Sequence, residues 1–224
     1  MAVVYPTTGY IQNKRFKNNS SKGSYNKIEW YRASILWSWV PTLVIVPTVL
    51  LSGHSLKKLG FILPSAHINN VSPALFYIAL SLSTIYFAYN IYCMVSFRIS
   101  ESVRAYHAQK IPQFIKSILP VTAKEKQMWA VLAITAGITE ELLYRGYLFF
   151  AIALLFSEIH PAIAIVFSSL LFAIGHIYQG KEVLKPALAG VFLCLVYYFT
   201  GSIYIVIILH IFQDLVAKDL LKKD

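Results

Sequence analysis

The amino-acid sequence predicts an all-α protein, a polytopic transmembrane helical bundle of about six spans with both termini in the cytoplasm. Hydrophobic residues make up 57% of the chain and charged residues only 13%, about half the charged fraction of a soluble globular domain. The apolar residues also form long runs, and a run of about 18 or more with few charges is typical of a membrane span. Together with the distribution of the basic residues, these observations predict a multi-pass protein of the cell membrane.

Six apolar segments account for the predicted spans. The first contains Pro41 and Pro47, which predict a kink, and tryptophans near its start resemble an interfacial belt. The third segment is longer than a span needs. The segments cover residues 33–52, 73–97, 128–156, 161–178, 184–200 and 202–218.

The positions of the 20 Lys and Arg residues predict the orientation. The two tails and the connections at 98–127 and 179–185 carry 17 of them when Lys218, at the end of the sixth segment, is counted with the C-terminal tail; the connections at 53–72 and 157–160 carry two, and Arg145 lies inside an apolar segment. Because Lys and Arg favour the cytoplasmic side, both termini and residues 98–127 are predicted to be cytoplasmic. The net charge of +10 does not indicate a nucleic-acid partner, since aromatic and basic residues are not interleaved.

The sequence divides into four parts. The basic N-terminal tail could contact anionic membrane lipids or act only as a topology signal. The connection at 98–127 is either a short amphipathic helix in the interface or a solvated loop. The predicted parts are a cytoplasmic tail (1–32), two spans with an interfacial connection (33–125), a helical core that carries the motifs below (126–218) and a cytoplasmic tail (219–224).

Ionisable residues inside the spans are the most informative feature. Each costs a few kcal/mol at the bilayer centre, so such a group faces the protein interior or a water-filled cavity and is a functional candidate. A single buried histidine or one Glu–Arg pair is explained by packing alone, but three of four consecutive segments supply carboxylates or imidazoles. These residues are Glu140, Glu141, Arg145, His176, His210 and Asp214.

The spacing of these residues predicts their partners. Glu141 and Arg145 are four apart, so they share a helical face and can pair. Glu140 lies about 100° away around the helix and points elsewhere, so it is the candidate for chemistry. His210 and Asp214 are also four apart, and a carboxylate there could orient the imidazole.

Small and aromatic residues flank the charged ones. Phe172 and His176 share a helical face, which sets an aromatic ring beside the imidazole. Gly137, Gly146 and Gly175 would let helix backbones approach closely.

This set of side chains favours hydrolysis. A carboxylate and an imidazole in an apolar pocket can act as general base on water, and a second imidazole can stabilise the oxyanion of a tetrahedral intermediate. Two histidines and a glutamate would also suit zinc, although the chain has no H-E-x-x-H helix. We expect no cofactor; zinc remains possible, and Glu140, His176 and His210 would then be its ligands.

Three short motifs resemble those of a known family. Residues 140–145 match E-E-x-x-x-R, residues 172–176 match F-x-x-x-H, and residues 210–214 match H-x-x-x-N/D. In this order, each in an apolar segment, they resemble the CPBP family of CAAX-processing and bacteriocin-processing membrane peptidases, also called the Abi family. The resemblance covers about residues 126–217.

The resemblance implies an all-α membrane fold with a cavity among the motif helices, and it implies roles for individual residues. Glu140 and His176 would activate water, His210 and Asp214 would form the oxyanion side, and Glu141, Arg145 and Phe172 would support them. Many members have Asn where this chain has Asp214. Because an ionised Asp cannot donate a hydrogen bond, we interpret Asp214 as orienting His210. The family leaves glutamate-type and metal-dependent hydrolysis open.

The predicted function is therefore an intramembrane endopeptidase acting on a membrane-associated protein or peptide. Two alternatives remain open: a non-catalytic immunity or regulatory protein of the same fold, and an ion-coupled transporter. The transporter is less favoured because the chain shows no internal repeat.

The depths of the predicted residues pose a geometric question. With a rise of about 1.5 Å per residue, straight spans would put Glu140 near mid-membrane, His176 near the cytoplasmic end and His210 nearer the outer end. A tilt of the third segment, or a break near Gly137 or Gly146, would bring the three together.

Overall fold

The computed structural model describes residues 26–67, 71–156 and 158–221, and all regular structure in these ranges is helical. The first 25 residues of the predicted N-terminal tail and residues 222–224 of the predicted C-terminal tail lie outside the described residues. The α-helices are α1 (Lys27–Leu51), α2 (Pro73–Ile99), α3 (Glu101–Gln109), α4 (Gln113–Ile118), α5 (Ala123–Glu141), α6 (Leu148–Leu155), α7 (Pro161–Gly175), α8 (Leu184–Thr200) and α9 (Ile203–Val216). A π-helical segment spans Leu142–Tyr147, and 3₁₀ helices span Leu56–Leu59, Ile177–Val183 and Ala217–Asp219.

Three helical stretches are long and apolar enough to cross a membrane. They are Lys27–Leu51, Pro73–Ile99 and Ile177–Thr200, and Pro161–Gly175 is a shorter apolar helix. Large apolar side chains on these helices face outward, such as Leu36 at 70% exposure, which suits a hydrocarbon surrounding rather than water. The predicted all-α class is confirmed; the count of six spans and the cytoplasmic termini stay predictions.

Helix α1 begins at Lys27, six residues before the predicted first segment. The side chain of Asn26 accepts a hydrogen bond from the Ile28 N–H at 3.0 Å, and such a cap satisfies a backbone donor at the helix start. Tyr31 is fully buried and donates from its hydroxyl to the Ile118 carbonyl at 2.6 Å. The start of the helix therefore packs against the rest of the protein.

The 98–127 connection forms two short helices, α3 and α4, which favours the helical alternative over a solvated loop. The buried Arg104 donates from Nη1 to the Phe97 carbonyl at 3.0 Å. Ile118 and Leu119 are also buried. These contacts fasten the connection to α1 and α2.

Helix α5 lies between α1 and α9, while α9 also packs on α2, and α8 packs on both α7 and α2. The crossing of α5 and α9 is close at Gly137, where an added Cβ would be 2.5 Å from Ile211 Cγ1 and 3.1 Å from the Ile211 backbone nitrogen. Glycine is needed here because any side chain would push the two helices apart. The crossing places Glu141 at the end of α5 beside His210 in the middle of α9, and Trp129 of α5 beside Asp214 near the end of α9.

The third predicted segment is not one continuous α-helix. Helix α5 ends at Glu141, and the π-helical segment then leads into α6. The Leu148 N–H bonds the Leu143 carbonyl five residues back, which widens the turn and changes the direction in which later side chains point. The break includes Gly146 and leaves Gly137 inside regular helix.

Candidate active site

One cavity of about 520 Å³ gathers the residues that the sequence singled out. Glu140, His176, His210 and Asp214 all line it, although they come from the end of α5, the residue after α7 and the middle and end of α9. Its walls also include Trp30, Trp37, Ile115, Ile118 and Trp129. The cavity therefore joins a polar end to an apolar passage bounded by α1, α4 and α5.

The two consecutive glutamates point to different places. Glu140 lines the cavity, whereas Glu141 is fully buried in the protein. The Glu141 Oε1 atom accepts hydrogen bonds from Arg145 Nη1 at 2.7 Å and from His210 Nδ1 at 2.6 Å. The 100° turn between neighbours in a helix separates one carboxylate that faces the cavity from one that is held behind it.

Arg145 is fully buried and connects several segments around the site. Its Nη2 donates to the Gly190 carbonyl on α8 at 2.9 Å, and its guanidinium carbon lies 4.6 Å from the centre of the Phe172 ring on α7. A Cβ at Gly190 would be 3.0 Å from Phe172 Cδ1 and 3.5 Å from Arg145 Nη2. Gly190, which the sequence did not single out, therefore makes room for this contact.

His176 is held by the end of its own helix. It follows the last residue of α7, and its Nδ1 lies 2.8 Å from the Phe172 carbonyl. A carbonyl can only accept, so Nδ1 donates a hydrogen bond to it, which leaves Nε2 as the nitrogen that can face the cavity as an acceptor. The rings of Phe172 and His176 lie 4.6 Å apart, and the Tyr178 ring lies 6.1 Å from His176 on a nearly parallel plane.

His210 has a closer partner than the one its spacing predicted. Its Nδ1 bonds Glu141, while its Nε2 lies 3.7 Å from Asp214 Oδ2, beyond hydrogen-bond distance. The imidazole is thus fixed by a carboxylate on α5, and Asp214 stands beside its other nitrogen.

Two further polar residues in this cavity were missed by the sequence reasoning. Gln213 and Tyr86 both line it, and the Tyr86 hydroxyl donates to Gln213 Oε1 at 2.7 Å. With Oε1 engaged, the amide nitrogen of Gln213 remains as a donor. A polar amide within the apolar run of α9 was an available signal for Gln213; Tyr86, on a distant helix, gave none.

The three predicted zinc ligands were tested against the geometry. In the part of the chain that the structure describes, no three His, Cys, Asp or Glu side chains are grouped closely enough to hold a metal ion. Glu140, His176 and His210 share the cavity, but as arranged they do not fit a metal site.

The fold and cavity define an all-helical integral membrane protein with acid and imidazole side chains in an interior cavity. Residues 123–216 match the family described as type II CAAX prenyl endopeptidase Rce1-like, a range that runs from the first residue of α5 to the last of α9. No curated protein and no solved structure matches the chain. This match covers less than half of the chain; it supports a relationship to the CPBP family of CAAX proteases and supports a protease.

Proposed function

We propose that this protein is an intramembrane endopeptidase that hydrolyses a peptide bond of a membrane-associated protein or peptide. The observation that carries the proposal is the convergence of Glu140, His176, His210 and Asp214 on one cavity. Their motifs lie in separate segments of the chain, and packing alone calls for no such convergence. Charged and polar groups in an apolar surrounding cost free energy, so their presence there indicates a functional site.

In the proposed reaction, Glu140 and His176 activate water. Glu140 lines the cavity and His176 presents Nε2 as an acceptor, because Nδ1 is engaged by the Phe172 carbonyl. Glu140 takes one proton from water while the water oxygen attacks the carbonyl carbon of the peptide bond. Glu140 then returns that proton to the leaving amine. His176 orients the water by accepting its second hydrogen.

The oxyanion side is formed by His210 with Asp214. Nδ1–H of His210 donates to Glu141 at 2.6 Å, and a proton on Nε2 would donate to the oxyanion. Glu141 and Asp214, on either side of the ring, supply the compensating negative charge. The Gln213 amide nitrogen offers a second donor, since Tyr86 engages its oxygen. Preorganised donors of this kind lower the barrier because they need not reorient as charge develops.

Glu141, Arg145 and Phe172 act as positioning residues. Arg145 fixes Glu141, and Glu141 fixes the ring of His210. Phe172 supplies the carbonyl that holds His176, and its ring lies under the guanidinium of Arg145. One buried cation therefore supports both imidazoles.

The membrane placement is part of the proposal. We propose six spans in the cell membrane, with both termini and the α3–α4 connection on the cytoplasmic side. The apolar passage of the cavity runs past Ile115 and Ile118 of α4, which supports entry of the substrate from the cytoplasmic face of the bilayer.

The experiment compares cells that make the wild-type protein with cells that make Glu140→Gln, which removes the base and keeps the side-chain size. Peptide fragments in the membrane fraction are identified by mass spectrometry, and the substrate is expected to accumulate uncut in the variant. Glu158→Gln, at an exposed glutamate outside the cavity, is the matched control and should leave the fragments unchanged.

Each other outcome has a meaning. If the Glu140→Gln protein accumulates in the membrane and the fragments are the same as in wild type, the endopeptidase is refuted and a non-catalytic immunity or regulatory role takes its place. Solute uptake into proteoliposomes that depends on Glu140 would instead support the transporter. Once a substrate is identified, comparing cleavage of the prenylated and unmodified forms of its peptide shows which form the protein cuts.

A further inference from the structure

A second cavity, of about 490 Å³, lies at the opposite end of the helices from the first. The start of α7 at Pro161 and the end of α8 at Tyr197 and Tyr198 line it, whereas the first cavity is lined by the end of α7 and the start of α8. No residue lines both. Its other lining residues are mostly apolar and include Ile62, Phe149, Phe150, Ala153 and Phe156.

Two lysines stand at the edge of this cavity. Lys57 and Lys58 are both exposed, and both line it. Within the described residues neither forms an ion pair, and no acidic side chain lines the cavity. The cavity thus combines an aromatic and aliphatic wall with an uncompensated positive charge.

The lysines are carried by a firmly seated turn. They belong to the 3₁₀ helix Leu56–Leu59, whose last residue is fully buried. The following Gly60 accepts a hydrogen bond from the Ile203 N–H at 2.8 Å. It lies so close to Tyr197 that an added Cβ would be 2.5 Å from the Tyr197 Cε2 atom. The backbone that carries the two lysines is therefore held at a defined place beside the apolar wall.

We propose that this cavity binds one phospholipid with an anionic headgroup. The headgroup phosphate would contact Lys57 and Lys58, and an acyl chain would lie along the apolar wall near Phe150 and Phe156. The cavity volume falls in the range of sites that take small ligands, and charge complementarity selects an anionic headgroup over a zwitterionic one. This site is independent of the proposed peptidase chemistry.

The expected affinity difference follows from the two charges. A Lys near a membrane surface contributes about 1 kcal/mol of attraction to anionic lipid, so losing two of them weakens binding by about 30-fold at most. The attraction is weaker for an exposed side chain in salt, so the loss of affinity should be smaller than this upper bound. If both lysines take part, we expect a loss of at least about tenfold.

The experiment measures lipid binding directly, with no readout of cleavage. Purified full-length protein in a neutral detergent is titrated with phosphatidylglycerol or phosphatidylcholine, and bound lipid is counted by native mass spectrometry. We expect one retained phosphatidylglycerol and much weaker retention of phosphatidylcholine. Lys57→Gln/Lys58→Gln should lower phosphatidylglycerol affinity about 10- to 30-fold.

Two further variants distinguish binding in the cavity from nonspecific electrostatic attraction between the lipid and the protein. Lys124→Gln/Lys181→Gln removes the same charge from exposed positions outside the cavity and should leave the affinity unchanged. Ala153→Trp places a large ring at an exposed position of the cavity wall and should block the acyl chain. Equal binding of the two lipids, an equal loss in the Lys124/Lys181 variant, or full binding by Ala153→Trp would each overturn the proposal.

Discussion

The buried pair of Arg145 and Glu141 offers a quantitative test of how the site is held. Both side chains are fully buried and their Nη1 and Oε1 atoms are 2.7 Å apart. Replacing Arg145 by Met breaks a buried ion pair and leaves the Glu141 carboxylate with the His210 imidazole as its remaining partner, which costs about 3–5 kcal/mol in the free energy of unfolding. Replacing Glu141 by Gln leaves an uncompensated guanidinium and should cost a similar amount.

The double variant Glu141→Gln/Arg145→Met separates the charge effect from simple loss of packing. Its Gln can still accept from His210 Nδ1, and no unpaired charge remains. If the two losses were additive, the double variant would lose about 6–10 kcal/mol; we expect it to lose no more than either single variant. The free energy of unfolding is measured by reversible denaturation in detergent, followed by the fluorescence of the four tryptophans.

The exposed Glu182–Lys185 ion pair provides the control for this cycle. The Lys185 side chain is 75% exposed, so Glu182→Gln and Lys185→Met should each cost about 1 kcal/mol or less. Losses that add within about 0.5 kcal/mol at Glu141 and Arg145, or a loss below about 1 kcal/mol for Arg145→Met, would refute the reasoning.

Three other outcomes are expected. Gln213→Leu should lower kcat on an identified substrate about 10- to 100-fold with little change in KM, because one oxyanion donor is lost, and an unchanged kcat would remove Gln213 from the reaction. Burial raises the pKa of Asp219, but its hydrogen bonds to Arg98 at 2.6 Å and Lys126 at 3.2 Å outweigh this and lower the pKa overall. The stability from Asp219 is therefore present above about pH 4 and lost as the pH falls further; the stability difference between wild type and Asp219→Asn should shrink over that range, and a constant difference would contradict it. If the hydrolysis is glutamate-based, elemental analysis of the active protein should find well below one zinc per chain, and cleavage that a chelator abolishes and zinc restores would contradict it.

Local signals in the sequence explain why several helix ends were predicted well. Pro73 and Pro161 begin α2 and α7, as expected for a residue that suits the first helical turn. The fifth predicted segment coincides with Leu184–Thr200, and its end is marked by Gly201 in a left-handed conformation. The π-helical segment had only Gly146 as a local signal, because the other residues of Leu142–Tyr147 suit a regular α-helix equally well.

The candidate site shows the same division between local and distant contacts. The spacing of four between Glu141 and Arg145 predicted the ion pair, since helical geometry alone brings them together. The same rule favoured Asp214 as the partner of His210, yet Glu141, 69 residues away, is the closer one. Only the close crossing of α5 and α9 at Gly137 makes that contact, and no spacing in one sequence encodes it.

The hydrogen bond between Glu141 and His210 also bears on how the protein is made. Synthesis proceeds at about 5–20 residues per second, so the ribosome adds His210 several seconds after it adds Glu141. Until α9 has been inserted beside α5, Glu141 has Arg145 but no imidazole, and the oxyanion side of the proposed reaction does not exist. A nascent or truncated chain would thus be inert toward its neighbours, and hydrolysis would begin only when the last helix completes the bundle.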